Sequence, residues 1–246
     1  MEGWVCLMKM ICFPHAGGFG NYYSFLQRLQ APATCCLIEY PGRGKKVNIP
    51  YPGDMRGFAD YIMKELDLVL ADDEPCILFG HSMGAFVAYE AARRLKGRVR
   101  LLIVSGQAAP DEFKGVAINC DSRADVINYM MSMGGSNMEL FSYLRAEDFF
   151  IPIVQSDLRL IQSYRPELLA ENEKPDAVAV LCGRDDAEVG QTDLTAWKQC
   201  ALNFYGVKYF EGGHFYMNAQ KDSVIAYISQ LLSRACRCSD GKGAYE

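Results

Sequence analysis

Hydrophobic residues in this chain fall into short continuous runs separated by segments with helical spacing. Residues 7–13 (Leu-Met-Lys-Met-Ile-Cys-Phe) and 34–40 (Thr-Cys-Cys-Leu-Ile-Glu-Tyr) read as strands. Between them, Asn21 can cap a helix carrying Tyr22, Phe25, Leu26 and Leu29. Over 54–70, Met55, Phe58, Ala59, Ile62, Leu66 and Val69 form one helical stripe. The apolar run at 76–79 predicts a buried strand, and Ala85, Ala88, Ala92 and Leu95 follow at helical spacing. Further strands are predicted at 99–105, 177–182 and 207–211. A helix with Leu194, Trp197 and Leu202 precedes the last of these, and a final helix spans about 218–234.

This alternation predicts an α/β fold: a mostly parallel sheet covered by helices on both faces. It breaks only over 111–170, where Tyr129, Met130, Met131, Met133, Met138, Leu140 and Phe141 lie in short helical patterns. So long a segment without structure of its own is uncommon in a compact domain. It reads as a helical lid inserted into a single domain spanning 1–246, with a loose tail at 235–246. Met-rich surfaces adapt to varied apolar ligands.

The chemistry begins at Gly80-His81-Ser82-Met83-Gly84, between a strand run and a helix run. In a G-x-S-x-G elbow the backbone is strained so that the serine projects from the end of its strand. The glycines allow strand and helix to approach closely. The Met83 N–H, at a helix N-terminus, can donate to an oxyanion. The turn Pro14-His15-Ala16-Gly17-Gly18-Phe19-Gly20 lacks the Lys-Ser/Thr of a phosphate loop and the three-glycine dinucleotide spacing. Beside an elbow it makes a second oxyanion donor, assigned to the Ala16 N–H. A serine nucleophile needs an imidazole base and a carboxylate to orient it. Of the three histidines, His81 sits on the sharp elbow and His15 in the Gly-rich turn, which leaves His214 in the Gly-Gly-His loop after the last strand. The acid falls to Asp185 or Asp186, after the strand at 177–182.

Composition narrows the partners. A formal net charge of −5 disfavours nucleic acid. No run of eighteen apolar residues is present, so no spanning helix is expected. The stretch at 4–8 lacks a basic start and is interrupted by Lys9, so it reads as part of the first strand, not as an export signal. Most of the ten cysteines lie in apolar runs, and Cys236-x-Cys238 has no His partner. A cytoplasmic protein with reduced thiols and no metal is expected.

Five motifs together resemble the type II, or external editing, thioesterases of nonribosomal peptide and polyketide synthesis, members of the α/β-hydrolase superfamily. They are Phe13-Pro14-x-Ala16-Gly17-Gly18, Pro41-Gly42-Arg43-Gly44, the Ser82 elbow, Gly183-Arg184-Asp185-Asp186 and Gly212-Gly213-His214-Phe215. The likeness runs from about 9 to 232. It implies a triad of Ser82, His214 and the second acid of the pair, Asp186, with oxyanion donors at Met83 and Ala16. His15 inherits no role. The implied reaction is hydrolysis of acyl and aminoacyl thioesters on the phosphopantetheine arm of carrier proteins, without cofactor; a monomer is expected. Other readings are a medium-chain acyl-carrier thioesterase of fatty acid synthesis, a general carboxylesterase, and an idle carrier-protein binder. Because carrier proteins are usually acidic, docking calls for a local basic patch such as Arg43, Lys45 and Lys46.

Overall fold

In a strand, successive side chains point to opposite faces, so a buried apolar run feeds two cores at once. A computed structural model describes residues 8–30, 33–134, 146–190 and 192–238. In β1 (Met8–Phe13) Ile11 and Phe13 enter one core, while Met8, Met10 and Cys12 enter the other. The remaining strands are β2 (Ala33–Leu37), β3 (Cys76–His81), β4 (Val99–Ser105), β5 (Ala177–Gly183) and β6 (Asn203–Phe210). They form one sheet in the order β2-β1-β3-β4-β5-β6, and each neighbouring pair is parallel. This is the parallel α/β sheet expected from the alternation, and it agrees with the α/β-hydrolase fold that the resemblance implied.

Helices cover both faces. On one side lie α1 (Met55–Leu66) and α2 (Met83–Leu95), with Trp197 buried alongside. On the other, a 3-10 helix at Gly20–Arg28 and α5 (Lys221–Cys238) contribute Tyr23, Leu26, Ile228 and Leu232. Asp54 caps α1 by accepting from Gly57 N at 2.8 Å. Between β4 and β5 the chain forms α3 (Arg123–Ser132) and α4 (Ala146–Ser163), and no strand occurs there among the described residues. The two helices share a small core of Cys120, Val126, Phe150, Ile151, Val154 and Leu158. No helix among the described residues is long and apolar enough to cross a membrane.

Several boundaries differ from expectation for identifiable reasons. β6 begins at Asn203, ahead of the expected 207, because Gly206 (φ +95°) sits in a bulge and does not end the strand. There Phe204 pairs with Val178 and Val207 with Val180, so Tyr205 and Gly206 together face Ala179. The helix at Gly20–Arg28 starts before Asn21 and has no side-chain cap. Leu202 lies beyond the 3-10 helix Leu194–Cys200 and is exposed. α1 ends at Leu66, short of 70. The tail expected from 235 begins later, since α5 continues to Cys238 and Ala235 is buried beside Leu231 and Leu232. Expectations for residues 1–7, 138–144 and 239–246 lie outside the described residues.

β1, β3 and α2 meet backbone to backbone. A Cβ on Gly80 would lie 2.1 Å from Gly84 O, and a Cβ on Gly84 would lie 2.1 Å from Phe13 O. Neither neighbour is a side chain that can rotate away. Gly84→Ala is expected to lose more than about 4 kcal/mol of stability or to yield no folded protein. Soluble yield and urea unfolding check this, and a folded variant within about 1 kcal/mol of wild type would contradict the close approach.

Candidate active site

The sheet delivers its chemically distinctive residues to one edge. His15 follows β1, Ser82 follows β3, Asp185 and Asp186 follow β5, and His214 follows β6. At Ser82 the chain turns with φ +53° and ψ −123°, a conformation that L side chains rarely adopt. The Ser82 N–H donates to Ser105 O at 2.8 Å, which ties the elbow to the end of β4. Ser82 is half-buried and faces a cleft that it shares with His214.

Of the two candidate acids, the structure pairs Asp186 with His214. The His214 Nδ1–H donates to Asp186 Oδ1 and Oδ2 at 3.0 and 2.9 Å, and both side chains are buried. With Nδ1 so engaged, Nε2 is left as the nitrogen available to a reacting group. Glu188 N also donates to Asp186 Oδ1, at 3.0 Å. Asp185 is exposed.

The Gly-rich turn after β1 supplies the opposite wall. Gly17 has φ +73°, and a Cβ there would sit 2.7 Å from Val154 Cγ2 of α4, so only glycine fits. The amides around the serine are allocated. Gly17 N donates to Asp157 Oδ2 at 2.7 Å, Gly18 N to His15 O at 2.8 Å, and Ser82 N to Ser105 O. Among the described residues, the Ala16 and Met83 amides enter no such bond.

All three histidines of the chain cluster at this point. The His81 ring lies 4.7 Å from His214 and 5.9 Å from His15. His15 Nδ1 pairs with the Tyr23 hydroxyl at 2.7 Å, and His81 Nδ1 with Ser105 Oγ at 2.9 Å. Burial, then His214 and Arg43, pull the His15 pKa down to about 3. Burial, then His214 and His15, hold His81 well below its ordinary value. Both therefore stay neutral beside His214 at physiological pH.

The cleft encloses about 700 Å³ including its open mouth. Much of its wall comes from the insertion, including Tyr129, Met130, Met133, Phe150 and Leu158. Among the described residues no group of three His, Cys, Asp or Glu side chains could hold a metal ion.

The basic patch expected in the 43–46 loop is not there as such. Arg43 is buried, donating to Asp157 Oδ1 at 2.6 Å and to Gly18 O at 2.9 Å. Lys46 pairs with Glu65 and lies over the Tyr61 ring, which leaves Lys45 exposed. Asp157 also accepts from the Tyr51 hydroxyl. Its carboxylate thus joins α4, the 41–51 loop and the Gly-rich turn. Sequence reasoning passed over Asp157, although a carboxylate beside Val154, Leu158 and Ile161 on an apolar helix stripe is a readable signal.

Sheet order, elbow and the Asp186–His214 pair define an α/β-hydrolase. The chain belongs to the thioesterase-domain family, whose model matches residues 8–232. It is 28% identical over 229 residues to the probable cadicidin biosynthesis thioesterase of Streptomyces griseus, covering 92% of this chain and 62% of that one. It is 28% identical over 226 residues to phenyloxazoline synthase MbtB of Mycobacterium tuberculosis, covering 89% of this chain and 16% of the synthase. The chain therefore spans less than two thirds of the length of either relative. Among solved structures, YbtT, the type II thioesterase from the yersiniabactin NRPS/PKS pathway, aligns with a TM-score of 0.78 at 27% identity, covering 96% of each chain.

Two predictions follow from these buried groups. Truncating one partner strands the other charge, so Asp157→Ala or Arg43→Ala should each lose about 3–5 kcal/mol. The double variant Arg43→Met/Asp157→Leu should lose clearly less than the sum of the two. Urea unfolding of the four proteins checks this, and simple additivity would contradict the pairing. The second prediction concerns pH. His15 has an ordinary pKa of 6.5 but titrates near 3 when folded. As pH falls below about 6.5, the unfolded chain takes up a proton that the folded one refuses, so stability drops by about 1.4 kcal/mol per pH unit for each such histidine. Unfolding midpoints should fall between pH 7 and pH 5, and His15→Asn should narrow that difference; an unchanged difference would count against it.

Proposed function

We propose that this chain is a type II thioesterase that releases acyl and aminoacyl groups from the phosphopantetheine arm of carrier proteins, clearing misprimed or stalled nonribosomal peptide and polyketide synthases. The observation that carries the reading is the buried Asp186–His214 pair opening onto the Ser82 elbow in a largely apolar cleft. Membership of the thioesterase-domain family and the likeness to a type II enzyme support the thioester substrate and the carrier-protein partner.

In this mechanism the Ser82 hydroxyl attacks the thioester carbonyl while His214 Nε2 takes its proton. The negative oxygen that forms is held by the Ala16 and Met83 amides, which enter no other bond among the described residues. Asp186 fixes the imidazole tautomer and stabilises its positive charge. Collapse of the tetrahedral species breaks the C–S bond, and His214 returns the proton to the departing thiol. Water, deprotonated by His214, then attacks the acyl-serine and releases the acid. One thioester and one water give one acid and one thiol, with no cofactor.

The insertion acts as a lid. Its α3 and α4 side chains close over the serine, so the pantetheine arm enters by displacing or threading beneath them. The Asp157 contact ties that movement to the Gly-rich turn carrying the Ala16 donor.

The test is hydrolysis of acetyl- and aminoacyl-phosphopantetheinyl carrier protein by wild type and Ser82→Ala. Wild-type turnover that falls at least about 10³-fold in the variant is expected. Turnover of simple esters alone, with carrier thioesters untouched, would overturn the proposed substrate.

A further inference from the structure

One polar pair in the cleft has no part in the triad. Glu188 is a half-buried carboxylate in the cleft wall, and the Tyr129 hydroxyl of α3 donates to its Oε1 at 2.9 Å. The Glu188 N–H donates to Asp186 Oδ1, which fixes its backbone two residues beyond the acid that holds His214. Among the described residues lining the cleft, Glu188 is the one acidic side chain. Among the described residues, too, no Lys, Arg or His forms an ion pair with it. Apart from the nucleophile Ser82, the polar side chains that share the cleft with this pair have protein partners: His15 with Tyr23, Gln107 with Ala108 N, and His214 with Asp186. Burial and the neighbouring Glu188 hold the Tyr129 hydroxyl well above the ordinary phenol range, so it remains a donor.

A carboxylate set among methionine and phenylalanine side chains loses hydration when an acyl chain fills the space in front of it. Such a loss is unfavourable unless the incoming group restores a partner. An ammonium does so with a charge-assisted hydrogen bond. A methyl group in its place leaves the charge facing hydrocarbon, and a second carboxylate adds like-charge repulsion. Sites built around a polar group discriminate far more strongly against analogues that lack its partner than apolar pockets do against an extra methyl.

We propose that Glu188, held by Tyr129, makes this cleft selective for acyl groups bearing a cationic nitrogen, that is, for aminoacyl over plain acyl and over dicarboxylic acyl thioesters. This rests on the thioesterase reading above and names the substrate class of the same site. Tyr129 belongs to the insertion and Glu188 to the loop after β5, so the selective surface exists only when the two are together.

The experiment uses three thioesters that differ in one group. Alanyl, isobutyryl and methylmalonyl pantetheine carry an ammonium, a methyl and a carboxylate at the same carbon. For wild type, kcat/KM should follow that order, with alanyl at least about tenfold over isobutyryl. In Glu188→Gln the alanyl-to-isobutyryl ratio should collapse toward one and methylmalonyl should gain most. Glu188→Ala serves as a second variant, with thermal unfolding to show that both are folded. An unchanged ratio in both variants, or no preference in wild type, overturns the proposal while leaving thioesterase activity standing. If wild type hydrolyses none of the three, the thioesterase reading fails. The selectivity is then read by binding of the corresponding pantetheine amides to Ser82→Ala, with and without Glu188→Gln. Tighter alanyl binding that depends on Glu188 sustains the proposal there, and equal binding overturns it.

Discussion

The structure turns on the place where β1, β3 and α2 touch without side chains between them. Gly80 and Gly84 permit this, and the separations that a Cβ would create, 2.1 Å to carbonyl oxygens, show how little room exists. That one contact decides several things at once. It forces Ser82 into positive φ, at a strain of roughly 1–3 kcal/mol that the buried core around it offsets. It makes Ser82 the residue directly ahead of α2, so the first amide of that helix follows the serine at once. It also brings the end of β1 alongside, so the Gly-rich turn after Phe13 must pass over the same space. Serine and both proposed oxyanion donors are therefore positioned by packing of the central sheet, the most deeply buried part of the molecule.

The second constraint is a charged one. Arg43 and Asp157 have no exposed side-chain surface, and charges so far from water persist only where every bond is satisfied. Here the guanidinium reaches Asp157 and Gly18 O, while the carboxylate receives Arg43, Tyr51 and Gly17 N. An apolar contact could have joined α4 to the sheet, but it would not have bonded the Gly17 amide. The ion pair thus fixes the insertion and the Gly-rich turn relative to each other. Opening the insertion at α4 would separate buried charges, whereas parting Tyr129 of α3 from Glu188 breaks a hydrogen bond from a neutral hydroxyl.

Much of this was legible in the chain because periodicity, glycine placement and strand-end chemistry agreed with one another. Residues 99–105 matched β4 at both ends, and the elbow stood where the apolar run met Ser82. Edges were read less well. Gly206 broke the pattern of β6 because a bulge and a strand end look alike in one dimension. Arg43 looked like a surface cation because its partner lies 114 residues away on a helix whose apolar stripe drew attention away from Asp157. The choice between Asp185 and Asp186 could not come from spacing, since both follow the same strand; the family resemblance implied Asp186, and the geometry shows that acid buried and bonded to His214 while Asp185 is exposed. Glu188 had no signal at all, because its meaning depends on what faces it across the cleft.

The histidine cluster shows how environment assigns roles to identical side chains. A positive charge on His81 would lie 4.7 Å from the His214 ring. At an effective dielectric of about 20, two unit charges at that separation repel by about 3–4 kcal/mol. That would weigh against the imidazolium which the proposed mechanism requires on His214 at each proton transfer. Burial removes the difficulty by keeping His15 and His81 neutral, and their hydroxyl partners Tyr23 and Ser105 satisfy a ring nitrogen of each without adding charge. Asp186 then has one imidazole to stabilise. A carboxylate beside three titrating rings would share its influence among them, whereas here it acts on the ring that opens onto Ser82.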